Sequence, residues 1–443
     1  MSALVLQVYL KGIDMSMREM RQSGVEWVGS IPERWEVKKG KWFLSLLQRP
    51  TKESDEVITC FRDGEVTLRS NRREDGFTIS LKEHGYQGIE PGDIVVHGMD
   101  GFAGAIGISD SRGKASPVLN VIDTKLNKKF FVYYLRSMAF NGVFLALSTG
   151  IRVRSCDTGW NKLKNLPYPI PPLAEQKAIS DFLDSKCTEI DALTADIEKQ
   201  IETLQEYKKS VITEAVTKGL DPNVKVKDSG VEWIGKIPNQ WTLSRIKYGA
   251  NKIGSGKTPK GGANTYVNDG VAFIRSQNVY DTGLTLDNVA FISQETHESM
   301  SSSKVMPLDI LLNITGGSIG RCCVVPENFL EANVNQHVCI IRADKFMPEW
   351  IKFFWNSMIG QYSISRLQGS ANRESINFEE IGNTFIPIPP IQEQQRIISF
   401  LKDKTEQIDS TITTKQEQLE TLAKYKQSLI YEYVTGKKTV PNP

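Results

Sequence analysis

The sequence predicts an α+β chain. Two mixed, mainly β domains are separated by two long antiparallel coiled-coil helices, and the halves form a pseudo-two-fold repeat. Three observations predict this. A sequence frame occurs twice along the chain. Each copy closes with about 45 residues free of Pro and Gly, apolar at steps of three and four. The segments inside each copy read as short strands punctuated by Gly and Asn turns.

The frame is specific. Ser23-Gly-Val-Glu-Trp-Val-Gly-Ser-Ile-Pro-Glu-Arg-Trp35 returns 206 residues later as Ser229-Gly-Val-Glu-Trp-Ile-Gly-Lys-Ile-Pro-Asn-Gln-Trp241. Pro169-Ile-Pro-Pro-Leu-Ala-Glu-Gln176 returns 218 residues later as Pro387-Ile-Pro-Pro-Ile-Gln-Glu-Gln394. Glu202-Thr-Leu-Gln-Glu-Tyr-Lys-Lys-Ser210 matches Glu420-Thr-Leu-Ala-Lys-Tyr-Lys-Gln-Ser428 at the same 218. The ends of each copy agree and the middles do not. Uniform drift after a duplication would not spare both ends, so the frame presents two different surfaces in one geometry. The repeat is nearly circular: Val5–Asp14 is a worn copy of Ile212–Asp221, and Val434-Thr-Gly-Lys437 is a third. The N-terminal segment is therefore expected beside the end of the second long helix. The boundaries that follow are an N-terminal segment 1–22, a first domain 23–168, a first long-helix region 169–222, a second domain 223–386 and a second long-helix region 387–443.

The long helices are expected over Leu173 to Lys218 and Ile391 to Thr435, with Gly219 and Gly436 as stops. In the first, the seam runs through Ile179, Leu183, Ile190, Ile197, Leu204 and Val211, with Leu193 and Ile201 between. In the second it runs through Ile397, Leu401, Ile408, Leu419, Leu422 and Leu429. Charged residues fill the remaining positions, as in a coiled-coil seam. The 197-to-201 step is a stutter that locally unwinds the supercoil. At 1.5 Å per residue each helix is roughly 65–70 Å long. If the second packs on the first it must run back, and the pair would act as a ruler between the two domains.

Composition sets the class. A chain of 443 residues exceeds one ordinary core, and 40% hydrophobic with 24% charged residues is typical of a folded soluble protein. The apolar start, Ser2 to Leu10, is too short to span a bilayer, and no other run approaches the ~18 residues needed, so a cytoplasmic protein is expected. None of Cys60, Cys156, Cys187, Cys322, Cys323 and Cys339 forms a C-x-x-C pair, which suits free buried thiols. The four histidines lack metal-site spacing.

Net charge is +2, so any nucleic-acid surface must be local. Residues 30–165 carry 21 basic and 16 acidic side chains, while the first helix carries 6 and 10. A basic head on an acidic stalk suits phosphate contact at the head. The second domain is close to neutral.

Each domain is expected to be mainly β, with strands such as Gly92–His97, Gly104–Ser109, Val271–Arg275 and His337–Arg342 and helices at Phe130–Leu147 and Pro348–Ser365. Candidate DNA contacts lie in their loops. Arg69, Asn71, Arg72 and Arg73 place three guanidinium groups and an amide in five residues. Arg275 offers a fork for guanine, and Gln277 or Asn278 an amide for adenine. Ser255, Lys257 and Thr258 offer amides, a hydroxyl and a cation to phosphate. Arg152, Arg154, Arg321, Gln336, His337 and Arg373 complete the set.

These residues carry a resemblance. The SGVEWxGxIPxxW frame, the IPPxxEQ turn and the long helix after it resemble the specificity (S) subunits of type I restriction-modification systems. So do Gly256-Lys-Thr-Pro259, Ile274-Arg-Ser-Gln-Asn-Val279 and Asn335-Gln-His-Val338, and in the first domain Gly85-Tyr86, Pro91-Gly-Asp93 and Gly104–Ser109. The resemblance implies two target recognition domains, each reading half of a split double-stranded DNA site. It implies helices that dock two methyltransferase (M) subunits, joined by motor-nuclease (R) subunits. It places S-adenosylmethionine, ATP and Mg on those partners, with no cofactor, metal or catalysis in this chain.

Three segments mimic enzyme motifs. Gly254-Ser-Gly-Lys-Thr258 resembles the end of a P-loop, but Asn251 stands where Gly is needed and no apolar strand is expected before it. Asn165-Leu-Pro-Tyr168 resembles the adenine-methyltransferase tetrad, but its second position is Leu and its counterpart is Asn383-Thr-Phe-Ile386. Gly101–Gly107 lacks the GxG spacing of a nucleotide loop. The expected function is a sequence-specific DNA-binding adaptor. The alternatives are a self-sufficient DNA adenine methyltransferase with its own recognition domains, and a scaffold whose coiled coil only joins partners.

Overall fold

The computed structural model describes residues 18–72, 84–148, 158–369 and 375–441. The chain divides into two compact units, Met1–Ile197 with Glu417–Pro443, and Glu198–Gln416. Each unit holds one β domain and part of both long helices.

In the first unit the frame folds as a hairpin, Met20–Gln22 against Ser30–Pro32. Gly24 (φ 72°) and Gly29 (φ 68°) take the left-handed region that a Cβ would strain. Ser23 Oγ accepts the Val25 amide at 3.0 Å, the local bond that favours Ser in a turn. Trp35 is buried and donates Nε1 to Glu175 Oε2 at 3.1 Å. Gln176, next in the chain, donates Nε2 to the Pro171 carbonyl at 2.8 Å and accepts the Asn127 amide at 2.8 Å. The two repeated ends of the frame thus meet at the start of the long helix, which is why they match while the middle is free to differ.

The end of the second long helix belongs to the same cluster. A Cβ at Gly436 would come within 2.4 Å of Pro32, and Lys437 Nζ donates to the Val28 carbonyl at 2.8 Å. The frame residues Val28 and Pro32 therefore sit beside the end of the second long helix. Val5–Asp14 lies outside the described residues. The second unit repeats the arrangement. Val226–Asp228 pairs with Lys236–Pro238, Trp241 is fully buried near Gly219, and Gln394 Nε2 donates to the Pro389 carbonyl at 2.8 Å.

Each domain is built on a four-stranded antiparallel sheet of the same order. In the first, Leu44–Leu46, Leu119–Thr124, Ile94–His97 and Ile106–Ile108 lie side by side. In the second the order is Ala250–Ser255, Val338–Ala343, Ile310–Asn313 and Cys322–Val324. The entering and leaving strands of each domain also pair, Glu36–Lys39 with Pro167–Ile170 and Thr242–Arg245 with Phe385–Ile388. Both domains carry a second, smaller sheet: in the second, Ala290–Ile292, Val271–Ile274, Ala332–Val334 and Lys304–Val305 lie side by side, and in the first the hairpins Ile58–Cys60 with Val66–Leu68 and Gln87–Ile89 with Gly113–Ala115 are joined by a parallel bridge from Val57 to Lys114.

The expected helix at 130–147 is two helices, Lys128–Phe140 and Val143–Ala146, broken at Gly142 (φ 70°). The one expected from Pro348 is Pro348–Asn356 followed by Met358–Gly369, parted at Ser357, whose extended backbone caps the first. Five cysteines are buried and free, and burial pushes the Cys60 thiol up to about 12. Cys156 lies outside the described residues.

The long helices are Leu173–Lys218 and Ile391–Val434. In the first unit Ile179, Leu183, Ile190 and Ile197 are buried with Leu429, and Leu422 packs beside them half-buried. Phe182 meets Tyr433 with ring centroids 4.6 Å apart, and Lys426 bonds Asp191 at 2.5 Å, so the helices run antiparallel there. In the second unit Ile397, Leu401 and Ile408 are buried, with Leu204 and Val211 half-buried. Lys208 bonds Asp409 at 2.8 Å and Lys415 bonds Gln200 at 2.5 Å, again antiparallel. Lys208 and Lys426 are repeat mates at the 218-residue offset, and so are Asp191 and Asp409. One Lys–Asp pair therefore recurs in each unit and explains why the second Lys-containing position of the third repeated segment, Lys208 and Lys426, is the same in both copies. Leu419 is half-buried. Leu193 is not a seam residue: it is 45% exposed, because Ile190 and Ile197 one heptad apart carry the stripe past it.

One repeat position is strained. The Pro91-Gly92-Asp93 turn and the Pro307-Leu308-Asp309 turn have the same bonds. In each, the aspartate oxygen accepts the amide three residues before it, from Glu90 at 2.9 Å and from Met306 at 2.7 Å. Gly92 has φ 88° and Leu308 has φ 66°. The left-handed region costs a side-chain residue about 1–2 kcal/mol.

Leu308→Gly should therefore raise the stability of the second unit by about 0.5–1 kcal/mol after the added chain entropy of Gly, read from chemical denaturation. A double-mutant cycle on Lys208 and Asp409 should give a coupling of about 0.5–1 kcal/mol, falling with added salt, since both ends are partly exposed. Zero coupling would remove the pair from the account of the seam.

Candidate nucleic-acid interface

Several strand ends of the second domain converge on one edge. Ser255 ends its strand opposite Cys339, and Asn313 ends the next opposite Val338. Ile274 and Val334 end two parallel strands side by side. The segments 255–260, 275–280, 314–321 and 335–337 all leave from this edge. Cross-bonds hold them: Asn313 Nδ2 donates to the Ser276 carbonyl at 2.8 Å, and the Asn335 amide to the Ile274 carbonyl at 3.1 Å. Gly256 lets one segment pass, because a Cβ there would lie 1.6 Å from the Val334 carbonyl oxygen.

Most of the candidates in this domain are brought together. Lys257, Thr258, Gln277, Arg321 and Gln336 are exposed there, with Ser255, Arg275 and His337 half-buried. Ser255 Oγ donates to the Gly256 carbonyl at 3.2 Å. Arg321 lies 4.9 Å over the Tyr280 ring, and Arg275 lies 6.0 Å from the Tyr266 ring while bonding the Asn288 carbonyl at 3.1 Å. Thr258 Oγ1 hydrogen-bonds Gln336 Oε1, Gln336 Nε2 bonds His337 Nε2 at 3.0 Å, and His337 Nδ1 bonds Thr315 Oγ1 at 2.6 Å. Stacked guanidinium groups, an ordered amide and a free lysine in one place suit contact with bases and phosphates.

Asn278 differs from expectation. It is fully buried, its Oδ1 accepts the Arg275 amide at 3.0 Å, and its Nδ2 donates to the Thr285 carbonyl at 3.1 Å. Its amide shapes the loop and leaves no edge for adenine.

In the first domain, Arg69 and Asn71 lie in a single 3-10 turn after Val66–Leu68. Arg69 Nε approaches Thr59 Oγ1 at 3.4 Å, and Asn71 donates to Thr67 Oγ1 at 2.9 Å. Arg72 is committed: it pairs with Asp63 at 2.6 Å and Glu65 at 3.0 Å, and stacks 4.2 Å over Phe61. Arg73, Arg152, Arg154 and Arg373 lie outside the described residues.

Sequence reasoning missed Thr315, Tyr266 and Tyr280, whose roles come from partners distant in the chain.

The enzyme-like segments resolve into scaffold. Tyr168 lies in the closing strand, buried against Phe43, Phe131 and Tyr134, with its hydroxyl donating to the Leu163 carbonyl at 2.9 Å. Burial pushes its phenol up, and no base could stack on it as placed. The strand that leads into Gly254–Thr258 is Ala250–Ser255, whose Asn251, Lys252 and Ser255 set it apart from the apolar strand that precedes a P-loop. It is edged with polar residues, and a four-residue 3-10 turn, Gly262–Thr265, follows in place of a long helix. Among the described residues no helix is long and apolar enough to cross a membrane.

Two β domains of one architecture in a duplicated frame, one with its cations and amides gathered at a strand-end edge, define a repeat protein built to read nucleic acid. The chain belongs to the type I restriction modification DNA specificity domain family, whose model matches residues 33–203 and 238–421. DNA sequence recognition is the role this gives it. The chain is 26% identical over 369 residues to the type I restriction enzyme EcoBI specificity subunit of Escherichia coli, covering 79% of this chain and 74% of that protein. It is 26% identical over 423 residues to the type I restriction enzyme MjaVIII specificity subunit of Methanocaldococcus jannaschii, covering 93% and 95%. A solved chain from work on complex assembly and conformational transition of the type I R-M system shares the fold at TM-score 0.69, with 14% identity over 92% of this chain and 99% of that one.

The two domains make a testable contrast. Lys257→Ala should flatten the dependence of log affinity on log salt by about 0.9, the loss of one phosphate contact. Arg72→Ala, whose charge is already matched by Asp63 and Glu65, should leave that slope unchanged. Asn278→Ala should lower unfolding stability by about 1–3 kcal/mol, through the buried bonds it loses.

Proposed function

We propose that the chain reads a bipartite, asymmetric double-stranded DNA site, one half-site per target recognition domain, and docks two methyltransferase subunits through its long helices. The observation that carries the reading is that two unlike loop sets stand in one repeated frame. Where the second domain has Gln336 and His337 just before Val338, opposite Asn313, the first has Pro117 and Val118 just before Leu119, opposite His97. Unlike readers in like frames call for unlike half-sites.

Docking is supported by apolar side chains left exposed at repeat-matched positions of the helices, Leu173 (62%) with Ile391 (55%) and Tyr207 (47%) with Tyr425 (52%). In this reading the chain does no chemistry. S-adenosylmethionine sits on the methyltransferase subunits, and ATP and Mg on motor-nuclease subunits in the full complex. The burial of Tyr168 weighs against a methyltransferase centre in this chain. The helix lengths set the spacer between half-sites, and the protein works in the cytoplasm with its partners.

Replacing residues 31–165 with the corresponding domain of another family member should change one half of the methylated motif and leave the other half and the spacer intact. Methylome sequencing of cells carrying the chimeric complex reads this directly. A change in both halves overturns the one-domain, one-half-site assignment. Tight S-adenosylmethionine binding by the isolated chain overturns the non-catalytic one.

A further inference from the structure

We infer that Gln336 is the adenine-reading residue of the second domain, and that Thr258 and His337 are positioning residues that fix its amide. The inference rests on the DNA-reading role proposed above and narrows it to one side chain and one base. Three features set Gln336 apart from the other exposed polar groups of the edge. Its amide is held from two sides by separate segments, the Thr258 hydroxyl at Oε1 and the His337 ring at Nε2, 3.0 Å away. The ring is itself held, through Nδ1 at 2.6 Å from Thr315 Oγ1, with the His337 backbone amide donating to Asn335 Oδ1 at 3.1 Å. Gln336 is exposed, on the edge where Lys257 and the stacked Arg321 stand ready for phosphate.

The bookkeeping of donors and acceptors selects the base. An amide has two N–H groups and two lone pairs on its oxygen. The contact with Thr258 uses one lone pair, and the donation to His337 Nε2 uses one N–H. One acceptor and one donor remain on the same planar group. Adenine presents the complement in the major groove, an N6–H donor beside the N7 acceptor. Guanine offers two acceptors there, cytosine a lone donor and thymine a lone acceptor beside its methyl, so none of them matches both positions. Preorganisation adds to discrimination, because the amide need not be ordered on binding. Gln277, exposed nearby with no such clamp, is the internal contrast.

The test uses the full chain in complex with its methyltransferase partner and duplexes carrying the recognised site. Each adenine of the second half-site is replaced in turn by 7-deazaadenine, which removes N7 alone. One such replacement should weaken binding on the order of 10- to 100-fold for the natural chain, and should cause no further loss once Gln336→Ala is present. His337→Ala should lose the same discrimination. His337→Gln, whose amide oxygen can accept in place of Nε2, should restore most of it, at matched thermal stability. If Gln336→Ala and every 7-deaza replacement are additive while specific binding persists, Gln336 does not read adenine and the inference fails. The absence of any specific binding by the natural chain would instead sink the reading on which it rests. A half-site containing no adenine also overturns the inference.

Discussion

Burial of a narrow apolar stripe between two antiparallel helices is the interaction on which the rest of this structure depends. A helix of 46 residues with an acidic surface and a stripe two positions wide has little stability alone, since most helical stability in water comes from packing. In each unit that stripe is covered by the other helix and by the β domain seated at its end. The frame tryptophans show how the seating works. Trp35 is buried between its hairpin, Glu175 at the start of one helix and Gly436 at the end of the other, and Trp241 occupies the matching place beside Gly219.

Specificity of pairing is carried by polar groups. Apolar seams tolerate slippage by a heptad, because one Ile or Leu replaces another at small cost. A Lys–Asp pair does not, because a slip would part the two charges and forfeit their attraction. Placing the same pair, Lys208 with Asp409 and Lys426 with Asp191, in each unit fixes the antiparallel register with modest stabilisation. The partly open seam at Leu204, Leu419 and Leu422 is consistent with a pair whose register is set by these contacts and by the flanking cores.

The domains divide labour between scaffold and surface. Their central sheets share strand order, and their Pro-x-Asp turns share bonds down to the accepted amide, even where Leu308 strains to copy Gly92. What differs is set at the strand ends. In the second domain the smaller sheet brings its loop, 275–280, to the edge used by Thr258, Gln336 and Arg321. The frame can therefore stay constant while the reading surface changes, which suits a subunit whose role is to choose a sequence.

The sequence by itself determined the repeat, its circular form, the two long helices and the family. These rest on local periodicity and on identity between distant segments, both visible without coordinates. It also marked Ser255–Thr258, Arg275–Asn278 and Gln336–His337 as loops rich in groups chemically suited to DNA. Only the tertiary structure decided which of those groups are available. Asn278 is consumed by its own loop, Arg72 by Asp63 and Glu65, and Tyr168 by an aromatic cluster, while Gln336 is clamped by a threonine 78 residues away. Leu193 fits the spacing of the seam and faces solvent, because the stripe follows the supercoil and not the residue count. The reason is common to all of them. A side chain's chemistry is written at its own position, but its freedom to act depends on neighbours that only the folded chain brings within hydrogen-bonding distance.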